Sequence, residues 1–188
     1  MKGRRTIGVI VTAALLSFPL VVLAADGEGR KPMTTAANEK TTARPSRDLR
    51  EGKTFAPSEV EFLQRPLASQ LVTVNPNGSP QLTVMWFRYE NGAILFTTTT
   101  DRIKFRNQQK DARAVLSVVD PGNMYKWVIV HGKLSVDNRD PAAFYSSLAE
   151  HYLTGDALDA WRKMTTMDKR TVLRLTPTRI RSMGLVQK

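Results

Sequence analysis

Cysteine is missing from all 188 residues, which excludes structural disulfides and a lipidated N-terminal cysteine. Histidine is nearly as scarce. His131 and His151 are the whole supply, too few for a His-rich metal centre, and no zinc-ligand spacing occurs. The Gly-x-Ser-x-Gly elbow of serine hydrolases is also absent, although composition alone leaves a Ser-His-Asp triad open. Acidic side chains fall short of basic ones, 17 against 28, for a formal net charge of +11. That balance suits nucleic acid, an anionic surface or an anionic small ligand.

Met1 to Ala25 reads as a secretory signal, with Lys2, Arg4 and Arg5 before an apolar run from Ile7 to Leu16, then Pro19 and a small-residue exit at Val22-Leu23-Ala24-Ala25. The alternative is an uncleaved anchor, since the stretch approaches the roughly 20 residues that span a bilayer. Arg4-Arg5-Thr6-Ile7 partly matches a twin-arginine signal. The expectation is cleavage near Ala24 or Ala25 and an exported protein, periplasmic or extracellular, without a stable membrane anchor; N-terminal sequencing checks it. Export in turn argues against nucleic acid as the partner. Residues 26–56 are polar and mixed in charge, with Phe55 the one aromatic residue. Such a stretch builds no core and is expected to be a flexible tether. Residues 57–188 suit a single domain.

That domain reads as strands punctuated by turns. Ser58 to Gln64 is expected as a short helix, with Ser58 as N-cap and Glu61 in the capping-box position. Strands are expected at Ala68–Val74, Gln81–Tyr89, Ala93–Thr99, Ala114–Val119 and Lys126–Val136, separated by Asn75-Pro76-Asn77-Gly78, Glu90-Asn91-Gly92 and Asp120-Pro121-Gly122-Asn123 turns. A last strand covers Thr171–Leu175 and Arg179–Gly184, bent near Pro177. Pro141 opens a helix reaching about Leu153, Gly155 ends it, and Ala157 to Met164 adds another helical turn or two. Leu82, Val84 and Trp86 alternate with Thr83, Met85 and Phe87. Apolar residues on both faces call for cover on both, from a helix or a second subunit. Short antiparallel strands with late helices point to a barrel rather than a parallel sheet.

The chain's chemistry concentrates between Phe96 and Pro121. Thr97 to Thr100 present four consecutive hydroxyls, and Arg102, Lys104 and Arg106 follow around a helix start. Helix N-termini carry unpaired N–H groups and a partial positive charge, so this stretch reads as an anion cradle. The geometry turns on where the helix begins. With extended chain through Lys104, Arg102 and Lys104 point the same way; with helix from Asp101, they point nearly opposite ways. A solvated basic helix face is the plain alternative.

Motifs in order along the domain carry a resemblance. They are Leu71 to Gln81, Val84-Met85-Trp86-Phe87, Lys104 with Arg106-Asn107, Asp111-Ala112-Arg113-Ala114, and Val119-Asp120-Pro121 with Tyr125-Lys126-Trp127. From about residue 57 to 186 the chain resembles the pyridoxamine 5'-phosphate oxidase-like family, nearest its branch of deazaflavin (coenzyme F-420) enzymes. The resemblance implies a mainly β fold, a six-stranded antiparallel split β-barrel of Greek-key type with flanking short helices. It also implies a homodimer holding FMN or deazaflavin coenzyme F-420 between subunits, and a flavin- or deazaflavin-dependent oxidoreductase acting on a small conjugated substrate. Carried over by position, Arg102 and Lys104 become phosphate ligands, Thr98 and Thr99 nearby donors, and Asn107 a support for the turn. Pro80, Gln81 and Trp86 border the ring, and Tyr125, Lys126 and Trp127 are the partner subunit's contribution. Taken alone, Trp86 also fits a core or interface position, the threonines a β-prone strand end, and Lys126 an edge-strand charge. A non-catalytic cofactor or haem carrier on the same barrel, with His131 or His151 on the iron, is the competing reading.

Overall fold

The computed structural model describes residues 49–185. The expected signal, the expected tether as far as residue 48, and the last three residues lie outside them. In chain order the elements are β1 (Arg50–Gly52), α1 (Pro57–Leu63), β2 (Ser69–Val74), β3 (Pro80–Met85), β4 (Arg88–Glu90), β5 (Ala93–Thr99), α2 (Ile103–Lys110), β6 (Arg113–Asp120), β7 (Asn123–Asp137), α3 (Pro141–Tyr152), α4 (Gly155–Met164) and β8 (Arg170–Met183). All pairings are antiparallel. The strands run β3-β2-β6-β7-β8-β5-β4, with β1 added beside β8.

The two ends of this path, β3 and β4, are joined only by Trp86 and Phe87. So short a link forces the ends together, and the sheet curls into a barrel with an unpaired seam between β3 and the β4–β5 hairpin. Alternation fills the inside with Leu71, Ile94, Phe96, Leu116, Val130 and Leu173, all buried. The other face of β5 is buried too, because Ala93 and Leu95 pack with Phe144 and Leu148 of α3. This is the split antiparallel barrel with flanking short helices that the sequence implies.

Several details differ from the sequence reading. The sheet has eight strands, because the expected Gln81–Tyr89 strand breaks at Trp86-Phe87 into β3 and β4, and because β1 forms within the stretch taken for tether. Arg50 in β1 reaches the buried Glu59 carboxylate at 2.8 and 2.7 Å, so the fold starts ahead of residue 57. The N-cap of α1 is Ala56, whose N–H donates to Glu59 at 2.7 Å; Pro57 takes the first helical position, two residues earlier in the capping pattern than Ser58 and Glu61. Helix α3 stops at Tyr152, and Gly155, at φ +54°, opens α4 rather than closing α3. β8 runs on through Pro177, which pairs with Gly132 where the β7 register shifts. A Cβ on Gly132 would lie 2.3 Å from the Thr176 carbonyl oxygen, so only glycine permits that approach.

Candidate cofactor cleft

Arg88 stands opposite Leu95 and Glu90 opposite Ala93 in the β4–β5 pairing. Extended two residues further, that register sets Trp86 opposite Thr97. β3 instead pairs with β2, and the seam opens there as a cleft of about 460 Å³. Val84, Met85 and Trp86 line one side, Thr97 and Arg170 the other, and Tyr145, Leu148 and Trp161 come from the α3–α4 hairpin. Trp86 is fixed from behind by Tyr152, whose ring stacks on it at 4.9 Å and 10°. The Tyr152 hydroxyl accepts from the Phe87 N–H at 3.1 Å and donates to the Leu67 carbonyl at 2.8 Å. Tyr145 and Trp161 meet edge to face at 4.7 Å over the opening.

Burial pushes the Tyr152 phenol up to about 12, although its bond to Phe87 pulls the other way. Between pH 10 and 12 the unfolded phenol has lost its proton and the folded one has kept it, so stability falls as pH rises through that window. After allowance for solvent screening the loss is on the order of 1–2 kcal/mol. Denaturant titrations at the two pH values should show it in the wild type and not in Tyr152→Phe; an equal loss in both proteins removes Tyr152 as the cause.

The basic end of the cleft follows from strand alternation. Thr97 and Thr99 share a face of β5 with Arg170 and Val172 on the neighbouring β8, while Thr98 turns inward beside Thr171. Arg102 is the N-cap of α2, still extended at ψ 148°, and the helix begins at Ile103, which puts Lys104 in the first turn. Among the described residues, Arg102, Lys104 and Arg170 form no salt bridge. Burial, and after it the charge of Arg102, lowers the pKa of Lys104. Burial also lowers that of Arg170, with Arg102 adding to the effect against the help of Tyr145. Two partly desolvated cations, Lys104 and Arg170, with the exposed Arg102 near both and Arg170 lining the aromatic slot, make a site that favours an anion. Asp101 is turned to Thr99, whose hydroxyl donates to it and holds its carboxyl below the ordinary value.

A sequence profile described as pyridoxamine 5'-phosphate oxidase matches residues 55–184. The chain belongs to this family. Among solved structures, an F-420 reductase is 32% identical, with 64% of this chain and 93% of that chain covered and a TM-score of 0.54. A conserved hypothetical protein from Mycobacterium tuberculosis is 24% identical, with 73% and 93% covered and a TM-score of 0.55. A heme binding protein from Mycobacterium smegmatis is 20% identical, with 71% and 57% covered and a TM-score of 0.51; at that identity the likeness is one of fold. The search of curated proteins finds no match.

The oxidase-family barrel gathers some of the expected site residues and separates others. Trp86 lines the seam cleft; Thr99 stands opposite Arg170, and Arg102 and Lys104 follow at the start of α2, with Arg102 close enough to Arg170 to act on its charge. Asn107 is buried at the lower end, where its amide donates to Thr73 Oγ1 at 3.1 Å and Asn75 Oδ1 at 2.9 Å, and the Thr73 hydroxyl donates to Gln81 Oε1 at 3.0 Å. This chain of bonds ties α2 to the Asn75–Gly78 turn and to β3. Pro80 is exposed at the far end of β3 from Trp86. Thr98 does not face the cradle: alternation aims it into the barrel, where its Oγ1 is buried without a partner among the described residues. Lys126 sits in a separate cleft of about 290 Å³ with Ser58, Glu61 and Arg65. Trp127, half-buried between Val119 and Met183, is also away from the seam within one chain. His131 lines a third cleft beside Arg113, whereas His151 packs edge-on to Tyr152 at 5.2 Å and is held below its ordinary pKa by burial and then by Arg88. Sequence reasoning missed Thr73, Tyr145, Tyr152, Trp161 and Arg170. The alternation of β2 marks Thr73 as an inward polar residue; the other four come together only through the α3–α4 hairpin.

Proposed function

We propose that the protein is a flavin- or deazaflavin-dependent oxidoreductase whose cofactor lies along the seam, its phosphate on Arg102 and Lys104 and its ring toward Trp86. The observation that carries this reading is the group of cations, Arg170 in the wall of an aromatic-lined cleft with Arg102 and Lys104 close by, that have no carboxylate partner among the described residues. A flat heterocycle with a phosphate tail matches both halves of that donor set. Such a cofactor, when bound, exchanges a hydride with an acceptor beside its ring. The chain's own part is to bind, orient and shield. Lys104 and Arg102 neutralise the phosphate, Asn107 and Thr73 hold α2 against β3, and Tyr152 keeps Trp86 in place. The likeness to an F-420 reductase favours the deazaflavin over FMN. Equilibrium dialysis of the purified protein against each cofactor, followed by its absorbance spectrum, decides between them; a protein that retains neither contradicts the reading.

The working form is a homodimer, and the protein is exported. Leu82 and Val84 project from the edge strand β3 with 58% and 62% of their surface exposed, next to Val72 and Val115 on the same outward face. An apolar sheet face ending in an open edge favours a second copy. Light scattering at micromolar concentration should give the mass of two chains, and Leu82→Glu with Val84→Glu should give one. A monomeric wild type contradicts the dimer, and with it the contribution of Tyr125, Lys126 and Trp127 across the interface.

A further inference from the structure

We propose that Arg170 forms a second anion subsite, set in the wall of the aromatic cleft, and that it selects as the site's other ligand a flat conjugated molecule carrying one carboxylate. The inference rests on the cofactor reading in one respect, that Arg102 and Lys104 are taken up by the cofactor's phosphate.

The side chain is held in place by groups that leave its charge uncompensated. Its Nη1 donates to Thr97 Oγ1 at 2.8 Å, its Nη2 to the Thr166 carbonyl at 3.3 Å, and its guanidinium lies 3.6 Å from the centre of the Tyr145 ring. Arginines elsewhere in the fold are matched to carboxylates: Arg139 to Glu90 and Asp137, Arg174 to Asp137, and Arg162 to Glu150. Among the described residues Arg170 has no carboxylate partner, and its Nε is buried without an acceptor. A partly buried cation without a counterion is costly, and a guanidinium edge suits a carboxylate in two-point contact. Trp86 and Trp161 on the same cleft supply flat apolar walls, so the complementary ligand is a conjugated plate with a single anionic edge. A neutral plate leaves the guanidinium charge unmatched, and a small anion alone leaves the walls unfilled.

The test uses the full chain saturated with whichever cofactor it retains, or without cofactor if it retains none. 2-Naphthoate and 2-naphthylmethanol, plates that differ in the carboxylate, are titrated against tryptophan fluorescence. The expected result is naphthoate binding about tenfold or more tighter than the alcohol, a preference abolished in Arg170→Met and weakened in Thr97→Val, which removes the hydroxyl that aims the guanidinium. Equal affinity for the two plates in the wild type overturns the proposal, as does a preference that survives Arg170→Met. If Arg170→Met does not fold, Arg170→Lys, which keeps the charge and loses the two-point edge, and Thr97→Val carry the same comparison. Naphthoate expelled by the cofactor also overturns it, since Arg170 then belongs to the cofactor's site. A protein that retains no cofactor and still prefers naphthoate through Arg170 sinks the cofactor reading and leaves the subsite standing.

Discussion

Glu59→Ala should lower the stability of the domain by about 3–5 kcal/mol, enough to bring its thermal midpoint down by roughly 10 °C or more. The Glu59 side chain is completely buried. Its carboxylate accepts from Arg50 at 2.8 and 2.7 Å, from the Ala56 N–H at 2.7 Å and from the Ser182 hydroxyl at 2.6 Å. One group thereby joins β1, the first turn of α1 and β8. Truncation leaves each donor unpaired and opens a void where those elements meet. Glu61→Ala is the control, because that residue is exposed and its loss should cost within about 0.5 kcal/mol. Urea denaturation of the two variants measures the contrast. Similar midpoints for both would mean that the Glu59 cluster does not anchor the N-terminal segment.

That contrast also marks how far the sequence could be read. Both carboxylates sit near a plausible cap, and spacing alone favoured Ser58 with Glu61. What singles out Glu59 is Arg50, nine residues earlier in a three-residue strand too short to carry any periodicity. Strands with clear punctuation were legible: Asn91 and Gly92 turn at positive φ, 48° and 77°, and β5 occupies Ala93–Thr99 as its alternation and turn require. The run of threonines was misjudged for a physical reason. Four consecutive hydroxyls look like one donor surface, but a strand sends alternate side chains to opposite faces, so Thr98 enters the barrel while Thr97 and Thr99 face Arg170. Arg170 itself carries no local signal; only the β5–β8 pairing and the α3–α4 hairpin bring it to the seam. The barrel's name came from the order of motifs, since periodicity alone gives only an antiparallel β domain with late helices.

Arg102→Ala combined with Lys104→Ala should weaken binding of the phosphate-bearing cofactor by a factor on the order of 10²–10⁴, two charge-assisted contacts of roughly 1.5–3 kcal/mol each. The folded protein without cofactor should not suffer. Lys104 is held below its ordinary pKa by burial and by Arg102, so its charge is a burden on the fold until an anion arrives. The sign follows from proton counting. Between the lowered pKa and the ordinary one of 10.5, the unfolded chain binds more protons, and the cofactor-free domain gains stability from this group as pH rises. Cofactor affinity moves the other way, falling over the same window as Lys104 loses its proton. The double variant should therefore melt at or slightly above the wild type when cofactor-free, and gain far less from added cofactor. A variant that melts well below the wild type would assign these residues to the fold instead.

Titration of the wild-type protein with FMN, the deazaflavin coenzyme and riboflavin, at one fixed salt concentration, bears most directly on the central claim. Riboflavin keeps the flat ring and lacks the phosphate. If Arg102 and Lys104 form the cradle and the ring lies toward Trp86, a phosphate-bearing cofactor quenches tryptophan fluorescence and binds at least about a hundredfold more tightly than riboflavin. Equal affinity for riboflavin and the phosphate-bearing forms, or no binding of any of the three, would contradict the account.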